Sequence, residues 1–281
     1  MTGAWKIAAG AAAGAMLAGL APPTAPEEPN LAKPTSGWQV DFGEQRCVAM
    51  REYALGERKV LVALEPDPAN DGARLLFRVP LAASAKPVFG WSEAKVTADG
   101  KAISKFVSSA PSAKEGQLFV AGWSADTLPS APPLATLGEV GIESKALTGR
   151  FPLTGMAKID VLLRECNRGL LESWGMSKAV QAEVTRWPTL KVPAGRLFNY
   201  TDYPTVAMIL RQQGDVRTRL SINEKGRVTD CKIRYSSGFD LLDSATCRGL
   251  IQRGRYEPAL GKDGKPMPAL AFQSVRWVMP D

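Results

Sequence analysis

DYPTVAMILRQQGDVRTRLSI, residues 202–222, begins as a helix and ends as a strand. Pro204 suits an early helical position, because the N–H it lacks would have had no helical carbonyl to meet. Gly214 supplies the stop. Beyond it Val216, Thr218, Leu220 and Ile222 alternate with Arg217, Arg219 and Ser221, the period of a strand with one buried and one wet face. Asn223 to Gly226 turns the chain, and Arg227 to Tyr235 returns with Cys231, Ile233 and Tyr235 on one side. After Ser236-Ser237-Gly238, the run FDLLDSATCRGLIQRGR reads as an amphipathic helix with Leu242, Ala245 and Leu250 inward. Its terminal arginines complement the helix dipole. YEPALGKDGKPMP, residues 256–268, reads as a loop with two turn signals, and AFQSVRWVM, residues 271–279, as a closing strand. The order helix, strand, strand, helix, strand predicts a small α+β domain over 200–281.

Upstream, apolar periodicity is lost after Trp187 while Pro188 and Pro193 appear, so 185–199 reads as a linker. Before it, Ile159, Leu162, Leu163, Cys166, Leu170 and Trp174 recur at helical spacing and predict one buried helix face. From Trp38 to about Leu153, short runs such as RCVAMREY, KVLVALEP and ARLLFRVPL are separated by Gly, Asp, Asn and Pro. They predict a β-sandwich or small barrel, with Asp99-Gly100 as a hairpin turn. Trp38, Trp91 and Trp123 either line a groove there or, as strand aromatics more often do, fill the core. The expected fold class is therefore α+β: a mainly-β domain over 37–184 closed by an amphipathic helix, a linker, and the small domain with its antiparallel sheet.

At the N-terminus, one positive charge at Lys6 precedes an apolar run from Ile7 to Ala21, the layout of an export signal. A bilayer takes about 20 strongly apolar residues, and this run is shorter and rich in Ala and Gly. Residues 1–21 are therefore expected to be a signal peptide. The alternative is a weak retained anchor, because Pro22 and Pro26 follow the small-residue sites and hinder cleavage. Residues 22–36 read as a Pro-rich tether.

Four cysteines with no CxxC spacing and no histidine in the chain suit two disulfides in an oxidising compartment better than a metal site. Three connectivities are open. Cys231 and Cys247 fall within one domain, which makes local pairing, with Cys47 to Cys166, the preferred one. The missing histidine also removes Ser-His-Asp triads and Cys-His dyads, so neither enzymatic activity, a metal nor a cofactor is expected. The charge of +7 comes from scattered Lys and Arg rather than a dense basic run, which argues against nucleic-acid binding.

Taken in order, Tyr203-Pro204, Gly214, Gly226-Arg227-Val228, Ser236-Ser237-Gly238 before Leu242-Asp243, Tyr256-Glu257-Pro258-Ala259 and Gly264-Lys265-Pro266 resemble the TonB C-terminal domain family. Each element is weak alone; in sequence they form a specific pattern. The resemblance implies a periplasmic envelope protein whose last strand lies at a sheet edge. That edge accepts an extended segment of an envelope or outer-membrane protein by β-strand addition. The expected partner-binding residues are Phe272, Gln273, Ser274, Val275, Arg276 and Trp277 on that strand. Tyr203 joins them, because the start of the first helix lies beside the bound segment in similar domains. Alternatively the strand merely completes the sheet, or pairs with a second copy in a homodimer.

The sequence departs from the family at Asp202, where many members carry glutamine: the charge changes and an amide donor is lost. The alternative function is an energy transducer coupled to the proton-motive force through an ExbB/ExbD-like complex, which needs a retained anchor. Such transducers carry a membrane helix with a polar face and a long Pro-rich linker. The run from Ile7 to Ala21 has no His, Ser or charge, and the tether is short. An enzymatic or ligand-binding role for the first domain is a third, disfavoured reading.

Overall fold

The computed structural model describes residues 30–69, 72–80, 90–112, 116–123, 133–192 and 196–279. The segment 1–21, expected to be a signal peptide or anchor, and the tether through residue 29 lie outside them. Among the described residues no helix is long and apolar enough to cross a membrane.

The N-terminal strands are β1 (Lys33–Pro34), β2 (Gln39–Phe42), β3 (Cys47–Leu55), β4 (Arg58–Pro66), β5 (Ala73–Pro80), β6 (Gly90–Ala98), β7 (Lys101–Ser112), β8 (Gly116–Trp123), β9 (Glu139–Glu143) and β10 (Thr148–Pro152). They form one sheet in the order β1-β3-β4-β5-β8-β7-β6-β9-β10, with β2 also against β3. The ends meet: the Ala32 N–H donates to Arg150 O at 2.8 Å, and the Arg150 N–H donates to Asn30 O at 2.7 Å. The sheet thus curls into a near-barrel. Strand alternation fills it, with Tyr53, Val60, Val62, Leu64, Leu75, Phe77 and Phe151 in one core. The tether expected over 22–36 is corrected at its end, because Leu31 to Pro34 form the closing seam, and Ala32 is buried. At the β6–β7 hairpin both Asp99 and Gly100 take positive φ, as a two-residue turn of this kind requires.

Helix α1 (Met156–Ser173) packs Met156, Ile159, Leu163, Cys166 and Leu170 onto the barrel core. Leu162, at the rim of that stripe, is exposed. The Cys47–Cys166 disulfide fastens the helix to β3. Trp38 packs against the same core and its Nε1 donates to Thr154 O at 2.9 Å, so it is structural. The side chains of Trp91 and Trp123 lie outside the described parts.

The expected linker over 185–199 is also corrected. After α2 (Lys178–Glu183) come β11 (Val184–Arg186) and β12 (Thr189–Leu190). Helix α3 (Thr205–Ile209), β13 (Gly214–Ile222), β14 (Val228–Tyr235) and α4 (Asp240–Arg253) follow. The expected loop over 256–268 instead holds β15 (Tyr256–Glu257), β16 (Ala259–Gly261) and β17 (Pro266–Met267), ahead of β18 (Ala269–Trp277). β11 pairs with β16, and β12 with β15. Strands of two or three residues are too short to show a period, and Pro188 falls between two of them rather than within a ladder.

β14, β13 and β18 form an antiparallel sheet in that order. One face meets α3 and α4 through Leu220, Ile222, Leu250 and Ala271, and through Tyr203, Val216, Leu242, Ala245, Val275 and Trp277. The Cys231–Cys247 disulfide ties β14 to α4. The opposite face packs on the first domain: Leu171 and Met176 share a core with Ala259, Ala269 and Leu270. The two domains are therefore in direct contact.

Candidate functional site

β18 runs beside β13 from Ala269, opposite Ile222, to Trp277, opposite Gly214, without a register shift. Among the described residues no strand pairs with its other side. Which main-chain groups face outward follows from alternation. The Asn223 N–H donates to Arg227 O at 3.0 Å, so odd-numbered residues of β13 point their main chain at β14 and even-numbered ones at β18. Their partners Ala269, Ala271, Gln273, Val275 and Trp277 bond inward. Leu270, Phe272, Ser274 and Arg276 accordingly direct N–H and C=O toward the outer edge. The Gln273 side-chain amide donates to Ser274 O at 3.0 Å, a local contact that a pairing strand would replace.

The side chains of the expected partner-binding residues divide between the two faces. Val275 and Trp277 are buried under the helices. Trp277 stacks edge-on against Tyr203 at 5.2 Å and its Nε1 donates to Thr246 Oγ1 at 2.8 Å. Tyr203 is only 7% exposed, and its hydroxyl donates to Gln212 O. Burial raises its pKa. Tyr203 therefore props the end of β18 from within rather than presenting its ring to a guest. Phe272 and Arg276 turn toward the first domain: Phe272 lies 5.7 Å from Trp174, and Arg276 pairs with Asp215. Gln273 is half-buried and Ser274 exposed.

The sheet has a second edge, β14, and the two differ. β14 carries two register irregularities against β13 and exposes Asp230 and Lys232. Bulges and charges of this kind blunt an edge against foreign strands. β18 has neither bulge nor proline, and Arg276 is its one charged residue, already paired. The regular edge is thus the one suited to strand addition.

Motif residues around this sheet have local structural duties. Gly226 has φ +70°, and a Cβ there would stand 1.8 Å from Tyr256 O. Gly214 starts β13 rather than ending α3, and a Cβ there would meet Ser237 Cβ at 2.7 Å. The Asp243 carboxylate accepts from the Ser237 N–H at 2.9 Å and from its hydroxyl at 2.8 Å, which holds the turn before α4. Asp202 accepts from Arg253 at 2.8 Å and from the Asn199 N–H at 2.8 Å. Burial acts to raise the Asp202 pKa, but these hydrogen bonds, with the charges of Arg253 and Arg248, bring it below the usual value.

A group that sequence reasoning missed faces the same sheet from the first domain. Trp174, Glu65 and Gln45 meet Phe272, Arg217 and Arg234 across the seam. They come from separate elements, so no spacing along the chain could have grouped them.

A search of curated proteins found no match to the chain. Residues 199–279 match the family model of the Gram-negative bacterial TonB protein C-terminal region. The match begins at the cap of the turn before Tyr203 and ends two residues beyond β18, so it takes in the whole sheet and both helices that cover it. The C-terminal segment of this chain, residues 199–279, is a TonB C-terminal domain.

Proposed function

We propose that this is a periplasmic interaction protein whose β18 edge takes up an extended segment of an envelope or outer-membrane protein by strand addition. The observation that carries the reading is the nine-residue edge, regular in register and unpaired on its outer side among the described residues. Affinity comes from main-chain donors and acceptors that otherwise bond water, and the flanking side chains set selectivity. The near-barrel supports the sheet from behind, so the edge sits on a two-domain body.

The test is a proline at an outward N–H. Ser274→Pro removes an outer donor and no ladder bond, whereas Val275→Pro takes a donor away from β13. Purified full-length Ser274→Pro is expected to keep the wild-type circular dichroism spectrum and to lose capture of solubilised outer-membrane protein. A folded Ser274→Pro variant that captures the same proteins as wild type would refute strand addition at this edge.

A further inference from the structure

We infer that the seam beside β18 recognises a carboxylate side chain of the incoming segment, through Arg219 and Arg234 held against Trp174. This rests on the strand-addition reading and adds to it the chemistry of the guest.

The face of the sheet turned toward the first domain is unusually rich in guanidinium groups. Arg217 is neutralised by Glu65 and Arg276 by Asp215. Arg219 and Arg234 are not neutralised in this way. Each places its guanidinium carbon 5.0 Å from the centre of the Trp174 ring, and Arg234 lies 4.9 Å from that of Phe272. Arg234 donates to the carbonyl of Gln45, a neutral acceptor, and Arg219 has no carboxylate within ion-pair distance among the described residues. Both are partly withdrawn from water, and that desolvation lowers their pKa, opposed by Asp230 at Arg219 and chiefly by Glu65 at Arg234. Stacking on an indole holds a guanidinium flat and leaves its N–H groups able to grip a carboxylate.

Position ties this pair to the edge. Arg219 lies opposite Phe272 in the ladder, and Phe272 points its main chain outward. A guest strand would run about 4.8 Å beyond β18. Its side chain beside Phe272, on the face turned to the first domain, would lie next to the ring that Arg234 covers. A glutamate there reaches over the ring edge to two guanidinium groups that hold no carboxylate in a direct ion pair among the described residues, Asp230, Glu65 and Asp67 acting on them from farther off. An apolar residue would leave the two cations as they are, and a lysine would be repelled. The first domain contributes Trp174, the platform that fixes both arginines, so recognition depends on the two domains together.

The test uses two nine-residue peptides, one alternating valine with glutamate and one alternating valine with glutamine, titrated into the oxidised full-length protein at fixed salt. Alternation puts every polar side chain on one face, whatever the register. The glutamate peptide is expected to bind at least about tenfold more tightly, as one charge-assisted contact supplies. Arg219→Gln should remove most of that preference and Arg219→Lys should restore part of it, the preference being the ratio of the two peptides' affinities for the same variant. Equal affinity for the two peptides, or a preference that survives Arg219→Gln, overturns the carboxylate inference while leaving strand addition standing. Binding of neither peptide overturns both.

Discussion

Arg217 Nη1 donates to both carboxylate oxygens of Glu65, 2.9 Å from each, across the seam between the two domains. The side chains are 15% and 6% exposed, and the Arg217 guanidinium also lies 4.6 Å from the Tyr235 ring. Removing Glu65 leaves the buried Arg217 guanidinium without its carboxylate, and Arg74, 3.7 Å from the same carboxylate, loses that partner too, at a cost of about 3–5 kcal/mol. Glu65→Ala is expected to lower the denaturation midpoint accordingly and to split a single transition into two. Combined with Arg217→Ala it should cost less than the sum of the single changes. Additive losses would show that the pair does not couple the domains.

The two disulfides should differ in what they stabilise. Cys231 and Cys247 are 16 residues apart, which in the chain-entropy model corresponds to about 3 kcal/mol. Cys47 and Cys166 are 119 apart, and the same model gives about 5 kcal/mol. Paired serine substitutions are expected to rank in that order in urea titrations. The first pair should loosen α4 from β14, and the second α1 from the barrel.

Tyr256 is buried, with a hydroxyl that has no hydrogen-bond partner among the described residues. Burial raises its pKa strongly. An unmet buried hydroxyl costs stability, so Tyr256→Phe is expected to hold the urea midpoint or to raise stability by about 1 kcal/mol. A clear loss would mean that the hydroxyl is satisfied in solution.

Asp202 supplies a pH dependence. Its folded pKa lies below the 3.8 of a free side chain, so folding favours the ionised form. The resulting stability is complete above that unfolded value and is lost as pH falls through the lower folded value. Asp202→Asn should therefore flatten the acid limb of the melting temperature below about pH 4. It should also free Arg253, which Asp202 holds at 2.8 Å.

Long periodic elements were legible in the sequence. Residues 216 to 222 became a strand and Leu242, Ala245 and Leu250 face the core, because burial on one side leaves a pattern that local reading recovers. The pairing of Cys231 with Cys247 followed from placing both in one domain. What escaped was short or distant. β11, β12, β15, β16 and β17 have three residues or fewer, and the pairings of β11 with β16 and of β12 with β15 join positions about 70 apart. The motif position of Tyr203 suggests contact with a guest, and only the structure shows its hydroxyl on Gln212 and its ring against Trp277. The alternation that selects Phe272 and Ser274 as outward-facing depends on one hairpin bond, at Asn223, which the sequence locates only as a turn.

Residue-resolved amide hydrogen exchange of the oxidised, partner-free protein tests the open edge most directly. The Phe272 and Ser274 amides should exchange orders of magnitude faster than those of Gln273 and Val275, whose N–H groups point into the ladder with β13. Protection of all four alike would mean that the rim of β18 is already occupied, and strand addition there would be contradicted.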